Sequence, residues 1–317
     1  VKLVFVGASR FGLRCLDLAC RLPGIDLVGV VTAPQTFSIS YRPEGVTNVL
    51  YVDVAQFAEE RGLPCAVLQS AMNDPALFEE VRSWKPDGFL VAGWYHMIPK
   101  AWRRLAPAYG LHASLLPDYS GGAPLVWAMI NGETRTGITL FEMDDGVDTG
   151  PILGQAEEPI FEDDTIATLY ARIEDRGLAL LYDALPRMAD GTLKAHPQLA
   201  GGRRVMPQRS PQDGVLDWVR DSRYLQRFVR AQTRPYPGAF TWLRGEKMYV
   251  WAARGLDKSA AATPGIVIAT DEDDRAVVCG QGMLHLQEAE YQGRILRGEE
   301  LAAFVQPGDR LDLGPAE

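Results

Sequence analysis

The 317-residue sequence predicts an α/β fold, a doubly wound parallel sheet followed by a smaller antiparallel β-barrel. Three observations carry this. The first half alternates short β-branched apolar runs with helical patterns, as βαβ units do when their sheet is covered on both faces. Periodicity then lapses over residues 189–213. Beyond one more helical segment the chain becomes short strands punctuated by glycine, the spacing of a small barrel.

Taken in order, the strand candidates of the first half are residues 2–6, 27–31, 64–68, 88–92 and a stretch beginning at Leu111. Helical patterns over 54–60 and 75–84 lie between them. A helix over 124–130 leads into a strand over 137–143, polar turn residues precede another over 152–155, and a helix over 165–188 closes the domain. Residues 189–213 gather Gly, Pro, Arg and Gln and read as a surface linker, so the domain cut falls at Gly202. This gives domains of residues 1–202 and 203–317. The second has a helix over 221–231, then strands over 240–243, 248–252, 265–269, 276–279 and 283–286.

With 47% hydrophobic and 23% charged residues, two ordinary domains each bury a core. No apolar run reaches the roughly 18 residues of a membrane span. The first residues run directly into a strand, so a cytoplasmic protein without a membrane segment is expected. Cys15, Cys20, Cys65 and Cys279 lie in unrelated segments, which implies neither a disulfide framework nor a metal site. A formal net charge of -9 repels polyphosphates and argues against a nucleic-acid partner.

Two segments stand out. Residues 7–12, Gly-Ala-Ser-Arg-Phe-Gly, lack the spacing of dinucleotide or phosphate-binding loops and read as a tight strand-to-helix turn. Residues 110–119 place His112 at a strand end before a proline-broken loop, where doubly wound sheets present ligands, and Asp148 follows in a glycine-flanked turn. From the residues alone this pair is a catalytic imidazole and carboxylate, or a core histidine and a turn former.

The run His112-Ala-Ser-Leu-Leu-Pro, with Gly121, Ala123-Pro124, Trp127, Ile130-Asn-Gly, Thr136-Gly and Asp148-Thr-Gly, resembles the methionyl-tRNA formyltransferase superfamily. Residues 209–213, 216–218 and 230–240 are similar to that family's C-terminal barrel. The resemblance implies a Rossmann-like catalytic domain, an OB-like second domain, and 10-formyltetrahydrofolate as formyl donor. It also implies that His112 hydrogen-bonds or protonates the developing oxyanion while Asp148 holds the imidazole and helps take the amine's proton. Those roles are physically sound, because a donor aimed at an oxyanion lowers the barrier and a carboxylate favours the protonated ring. By the same resemblance the pterin is gripped by Trp94, Tyr95 and His96, by Ser114, Leu115, Leu116 and Pro117, and by Asp144, Asp145, Gly146 and Val147. Core packing is the plainer role for Trp94 and Tyr95.

Two departures bear on function. Gly110 stands where the family has asparagine, and losing one oxyanion donor costs about 10²- to 10³-fold in turnover. Either a water or a neighbour such as His96 or Tyr95 substitutes, or the pocket takes another acyl group, or water replaces the amine as in 10-formyltetrahydrofolate hydrolases. A non-catalytic folate-binding relic is the remaining alternative. Ser120 replaces an arginine found in many relatives, and Arg203, Arg204, Arg209, Arg227, Arg230 and Arg234 form either a solvated surface or a phosphate dock. Residues 34–52 hold only Arg42, where the tRNA enzymes carry a basic loop. The expected acceptor is therefore a small amine, with methionyl-tRNA ranked lower. Because residues 94–98, 233–240 and 247–251 resemble the formyltransferases of nucleotide-linked amino sugars, that resemblance implies such a sugar first, then a siderophore or antibiotic precursor.

Overall fold

The structure, a computed structural model, describes residues 1–39, 42–69, 71–199, 201–270 and 275–314. It divides into two compact units, one of Val1–Gly121, Thr136–Pro159 and Ala171–Met206, the other of Gly122–Arg135, Ile160–Tyr170 and Pro207–Glu317.

The first unit opens with β1 (Lys2–Val6), whose Leu3, Val4, Phe5 and Val6 are all fully buried, as a central parallel strand requires. Helix α1 (Arg10–Ala19) starts where the Ser9 hydroxyl accepts from Gly12 N at 3.1 Å. A Cβ on Gly7 would lie 2.3 Å from the Ala92 carbonyl oxygen, so residues 7–12 form a close-packed turn. Next come β2 (Asp26–Thr32), β3 (Thr36–Ile39), β4 (Arg42–Thr47), α2 (Val54–Glu60), β5 (Cys65–Val67), α3 (Pro75–Ser83), β6 (Gly88–Val91), α4 (Lys100–Leu105), β7 (Ala108–His112) and β8 (Ser120–Gly121). After α5 (Pro124–Ile130), which belongs to the second unit, come β9 (Arg135–Glu142), β10 (Ile152–Pro159), α6 (Ile166–Ala189, in the first unit from Ala171 on) and β11 (Val205–Met206).

The sheet order is β10-β9-β7-β6-β1-β2-β5. Pairs β1–β2, β1–β6, β2–β5 and β6–β7 are parallel, and β7–β9 is antiparallel. The order reverses between β1 and β6, the switch point outside which such sheets open a crevice at their carboxyl ends. Beneath it Val4, Val6, Val31, Phe89, Val91 and Trp102 share one core, with the Phe89 and Trp102 rings 5.4 Å apart. Each such side chain contributes about 1.5–3 kcal/mol by leaving water. On the other side of the unit, Glu158 of β10 is clasped by Arg172 and Arg176 of α6, both at 2.7 Å.

The second unit adds α7 (Ser222–Gln232), capped by Asp221, then β12 (Ala239–Leu243), β13 (Glu246–Leu256), β14 (Val267–Ala269), β15 (Arg275–Val278), β16 (Met283–Tyr291), β17 (Arg294–Arg297), α8 (Gly298–Phe304) and β18 (Leu311–Asp312). These strands form a curled antiparallel sheet in the order β14-β15-β16-β13-β12-β18. Val267 N donates to Asp309 O at 2.9 Å and Leu311 N to Gly265 O at 2.8 Å, joining its two ends. Closure of this kind removes the exposed edges.

Two segments differ from the sequence reading. Residues 34–52 contain the antiparallel pair β3–β4 rather than only a loop. Its strands are too short, at four and six residues, to show a period. The supposed linker contains β11 and, at His196, a bridge to Ile152. Among the described residues no helix is long and apolar enough to cross a membrane, and no group of three or more His, Cys, Asp or Glu could hold a metal.

Candidate active site

β7 runs parallel to β6 and delivers His112 to the carboxyl edge of the sheet, with 12% of its side chain exposed. Its Nε2 lies 2.8 Å from the Tyr119 carbonyl oxygen. A carbonyl only accepts, so Nε2 carries the proton, and this hydrogen-bond assignment leaves the lone pair of the neutral ring on Nδ1. Nδ1 faces Asp148 Oδ2 at 3.6 Å, beyond hydrogen-bond length but close enough to stabilise a proton arriving there.

β9 runs antiparallel to β7 and leaves the sheet beside Ala108, where Met143 N donates to Ala108 O at 2.7 Å. The following loop nevertheless returns Asp148 to His112. It does so with Asp148 in the left-handed region at φ 53°, costly for a side chain other than glycine and found where the surroundings enforce it. Asp148 Oδ2 accepts from Gly121 N at 2.7 Å. Gly121 has φ 92°, and a Cβ there would meet Met206 O at 2.4 Å, so glycine is required by both angle and space.

The turn after β7 is locked from below. Ser114 Oγ donates to Asp118 O at 2.7 Å, and Thr139 Oγ1 donates to Ser114 O at 2.6 Å. Leu116 is buried, its N donates to Thr139 Oγ1 at 3.2 Å, and its carbonyl accepts from Gln155 Nε2 at 2.9 Å. Leu115 is half-buried beside Gly137, and Pro117 follows a cis peptide bond.

Beyond β6, the Trp94 and His96 rings are 5.2 Å apart, with Phe37 of β3 at 5.0 Å from His96 and 5.5 Å from Tyr95. Tyr95 donates its hydroxyl to Asn48 Oδ1 at 3.1 Å. Trp94 Nε1 and His96 Nε2 are buried without a hydrogen-bond partner among the described residues. Burial also lowers the His96 pKa, which favours the neutral ring. Each orphan nitrogen costs roughly 1–3 kcal/mol, which a bound heterocycle with its own donors and acceptors relieves. Trp94 thus packs against the core and still offers a polar atom. These residues fit a pterin.

The acidic loop is tied down by the protein itself. Asp144 Oδ1 accepts from Gly146 N at 3.0 Å and Thr149 Oγ1 at 2.5 Å. Asp145 pairs with Lys100 at 2.5 Å and Arg103 at 2.8 Å, and these hydrogen bonds hold its carboxyl below the usual range. Val147 is exposed, and its carbonyl accepts from Arg203.

Gly110 lies on the same face of β7 as His112. A Cβ there would lie 2.4 Å from Met143 Cε and 3.2 Å from Phe141 Cε1, so a thioether occupies the space. The arginines grouped by sequence divide between the two units and each has a protein partner. Arg203 donates to Ser120 Oγ at 3.1 Å, and Arg204 to Asp118 Oδ1 at 2.6 Å. In the second unit Arg209 donates to Gln232 Oε1 at 2.6 Å, Arg227 to Ile130 O at 3.2 Å, Arg230 to Asp164 O, and Arg234 to Glu288 at 2.6 Å. Sequence reasoning missed Met143, the last residue of a predicted strand, and the hydrogen bond from Gln198 Nε2 to Asp148 O, since Gln198 sits in a segment without any period.

The model of the family described as formyl transferase matches residues 3–185, and that described as formyl transferase, C-terminal domain, matches residues 209–304. The methionyl-tRNA formyltransferase of Myxococcus xanthus (strain DK1622) is 36% identical over 318 residues, covering 96% of this chain and 97% of its own. That of Citrifermentans bemidjiense is 35% identical over 319 residues, covering 98% and 96%. Among solved structures, WlaRD, a sugar 3N-formyl transferase crystallised with dTDP and 5-N-formyl-THF, shares the fold with a TM-score of 0.64 at 15% identity, over 93% of this chain and 98% of its own. With both halves matched and full-length relatives above 30% identity, this chain belongs to the formyl transferase family, enzymes of one-carbon transfer.

Proposed function

We propose that this enzyme moves a formyl group from 10-formyltetrahydrofolate to the primary amine of a small molecule, with His112 and Asp148 as the proton-handling pair. The observation that carries the reading is the His112 ring, pinned through Nε2 to Tyr119 O and facing Asp148 through Nδ1. When bound, 10-formyltetrahydrofolate supplies an activated formyl carbon, and Trp94, His96 and the backbone of residues 114–117 and 144–147 would hold its pterin.

The protein's part is then proton movement and orientation. Nδ1 of neutral His112 takes a proton from the attacking amine, Asp148 stabilises the imidazolium, and Nδ1 returns the proton to the departing nitrogen. Nε2 is committed to Tyr119, so Nδ1 is the working atom. Met143 and Phe141 offer no donor to the formyl oxygen beside Gly110, so slower turnover than in an asparagine-bearing relative is expected. The catalytic domain is residues 1–202 and the barrel domain residues 203–317.

A small acceptor is favoured because the grouped arginines are engaged by the protein, which leaves them poor phosphate contacts. The same argument weakens a pyrophosphate dock on those residues, so an amino sugar would be recognised elsewhere. Methionyl-tRNA is the second reading, favoured by 36% identity along 96% of the chain to an enzyme of that name. Incubation with 10-formyltetrahydrofolate and, separately, nucleotide-linked amino sugars, siderophore or antibiotic precursor amines, methionyl-tRNA and no acceptor decides among them. Folate release that depends on a small amine supports the proposal. Release without acceptor identifies a hydrolase, and formylation confined to methionyl-tRNA overturns the choice of acceptor.

A further inference from the structure

The segment between the two predicted domains is hydrogen-bonded to the loops that carry the proposed centre. Gln198 Nε2 donates to Asp148 O and to Gly150 O, both at 2.8 Å. One side-chain amide therefore spans the backbone on either side of Thr149 and opposes relaxation of Asp148 from its left-handed conformation. Backbone bonds between Ile152 and His196, at 2.7 and 2.8 Å, anchor the segment two residues earlier.

Its far end holds the other loop. Arg204 reaches Asp118 through Nε at 2.6 Å and lies over the Tyr119 ring with 4.3 Å to the centroid. Ser120 N donates to Arg204 O at 3.0 Å, and β11 pairs with β8 through Val205–Ser120 and Met206–Gly121. Tyr119 supplies the carbonyl that fixes the His112 tautomer, and Gly121 supplies the amide on Asp148. Arg203 joins the two loops directly by bonding Ser120 Oγ and Val147 O.

We infer that the described residues of the 196–206 segment are a strap that positions both members of the catalytic pair, with Gln198 the positioning residue for Asp148. The inference rests on the His112 and Asp148 reading above. Gln198 touches no reacting atom, and its effect passes through the Asp148 backbone. A misplacement of about 1 Å in such a group costs on the order of 10²-fold in rate.

The test is a mutant cycle on the full chain, using Gln198→Met, which keeps the side-chain volume and removes both donors, and Asp148→Asn. Single-turnover formylation, folate KM, the pH profile and thermal melting are recorded for each variant and for the double variant. Gln198→Met is expected to lower the single-turnover rate about 10- to 100-fold with folate KM and melting temperature near those of the wild type. In the Asp148→Asn background the same change should cost less than about threefold, because the group it positions has gone. An Asp148→Asn enzyme as fast as the wild type sinks the catalytic reading. A slow Asp148→Asn enzyme beside a wild-type-like Gln198→Met sinks the strap inference alone. Equal losses in both backgrounds, or a Gln198→Met protein that does not fold, assign Gln198 to general stability and also overturn it.

Discussion

The methyl of Met143 lies 2.4 Å from the point at which a side chain on Gly110 would begin. Met143 thereby occupies the space beside Gly110, and carbon atoms of Met143 and Phe141 stand where a side chain at that position would lie. Gly110→Asn alone should then lower kcat/KM and cost roughly 1–3 kcal/mol of stability by overpacking. Gly110→Asn with Met143→Ala should recover activity, since the flexible thioether is the main obstacle. A gain from Gly110→Asn by itself would show that a missing donor, not a filled pocket, limits the enzyme.

The imidazole is tested by its removal. His112→Ala should reduce kcat by about 10²- to 10⁴-fold, the usual worth of a positioned acid or base, and imidazole added to the assay should restore part of it. Rates within threefold of the wild type would remove His112 from the chemistry.

Trp94 is expected to report folate directly. Its indole fluorescence should change on titration with tetrahydrofolate, and Trp94→Phe should weaken binding about fivefold, the worth of about 1 kcal/mol for one hydrogen bond. Unchanged affinity in Trp94→Phe would mean that the orphan Nε1 meets something other than the pterin.

Acid stability should depend on Glu158. Its burial pushes the carboxyl upward, but hydrogen bonds from Arg176 and Arg172 outweigh this and leave it below the usual glutamate value. A depressed carboxyl contributes stability above the unfolded-state pKa of about 4.3, and that contribution is lost as pH falls through the lower folded-state value. Glu158→Gln should cost about 1.5 kcal/mol at pH 7, the low end for charged hydrogen bonds because both guanidiniums are partly exposed, and much less near pH 3. Urea unfolding at the two pH values measures the difference. Equal costs at both would deny the carboxylate its role.

Legibility from sequence followed the source of each contact. The buried strands β1, β2 and β6 announce themselves because both faces are covered and nearly every side chain must be apolar. A strand end and a glycine-flanked turn drew attention to His112 and Asp148 but left a core histidine and a turn former open; the family resemblance paired them, and the structure brings the two side chains to 3.6 Å. The contacts of Gln198, Arg203 and Arg204 were not legible, since each is made by one side chain to loops distant in sequence and leaves no periodic trace. The small strands β17 and β18 escaped for a related reason: their pairing is dictated by the neighbouring sheet and not by their own composition. The Met143 contact depends on how a flexible side chain fills a gap, which no spacing rule encodes.

Synthesis of the chain runs from His112 through Asp148 to Met206, so the residues that fasten both loops leave the ribosome after the two side chains between which they lie. For an interval on the order of seconds the nascent polypeptide carries the proposed acid–base pair without the Gln198 amide and the Arg203 and Arg204 guanidiniums that contact its loops. A fragment ending at residue 185 would contain both proposed proton-handling residues and none of the later side chains that bond their loops.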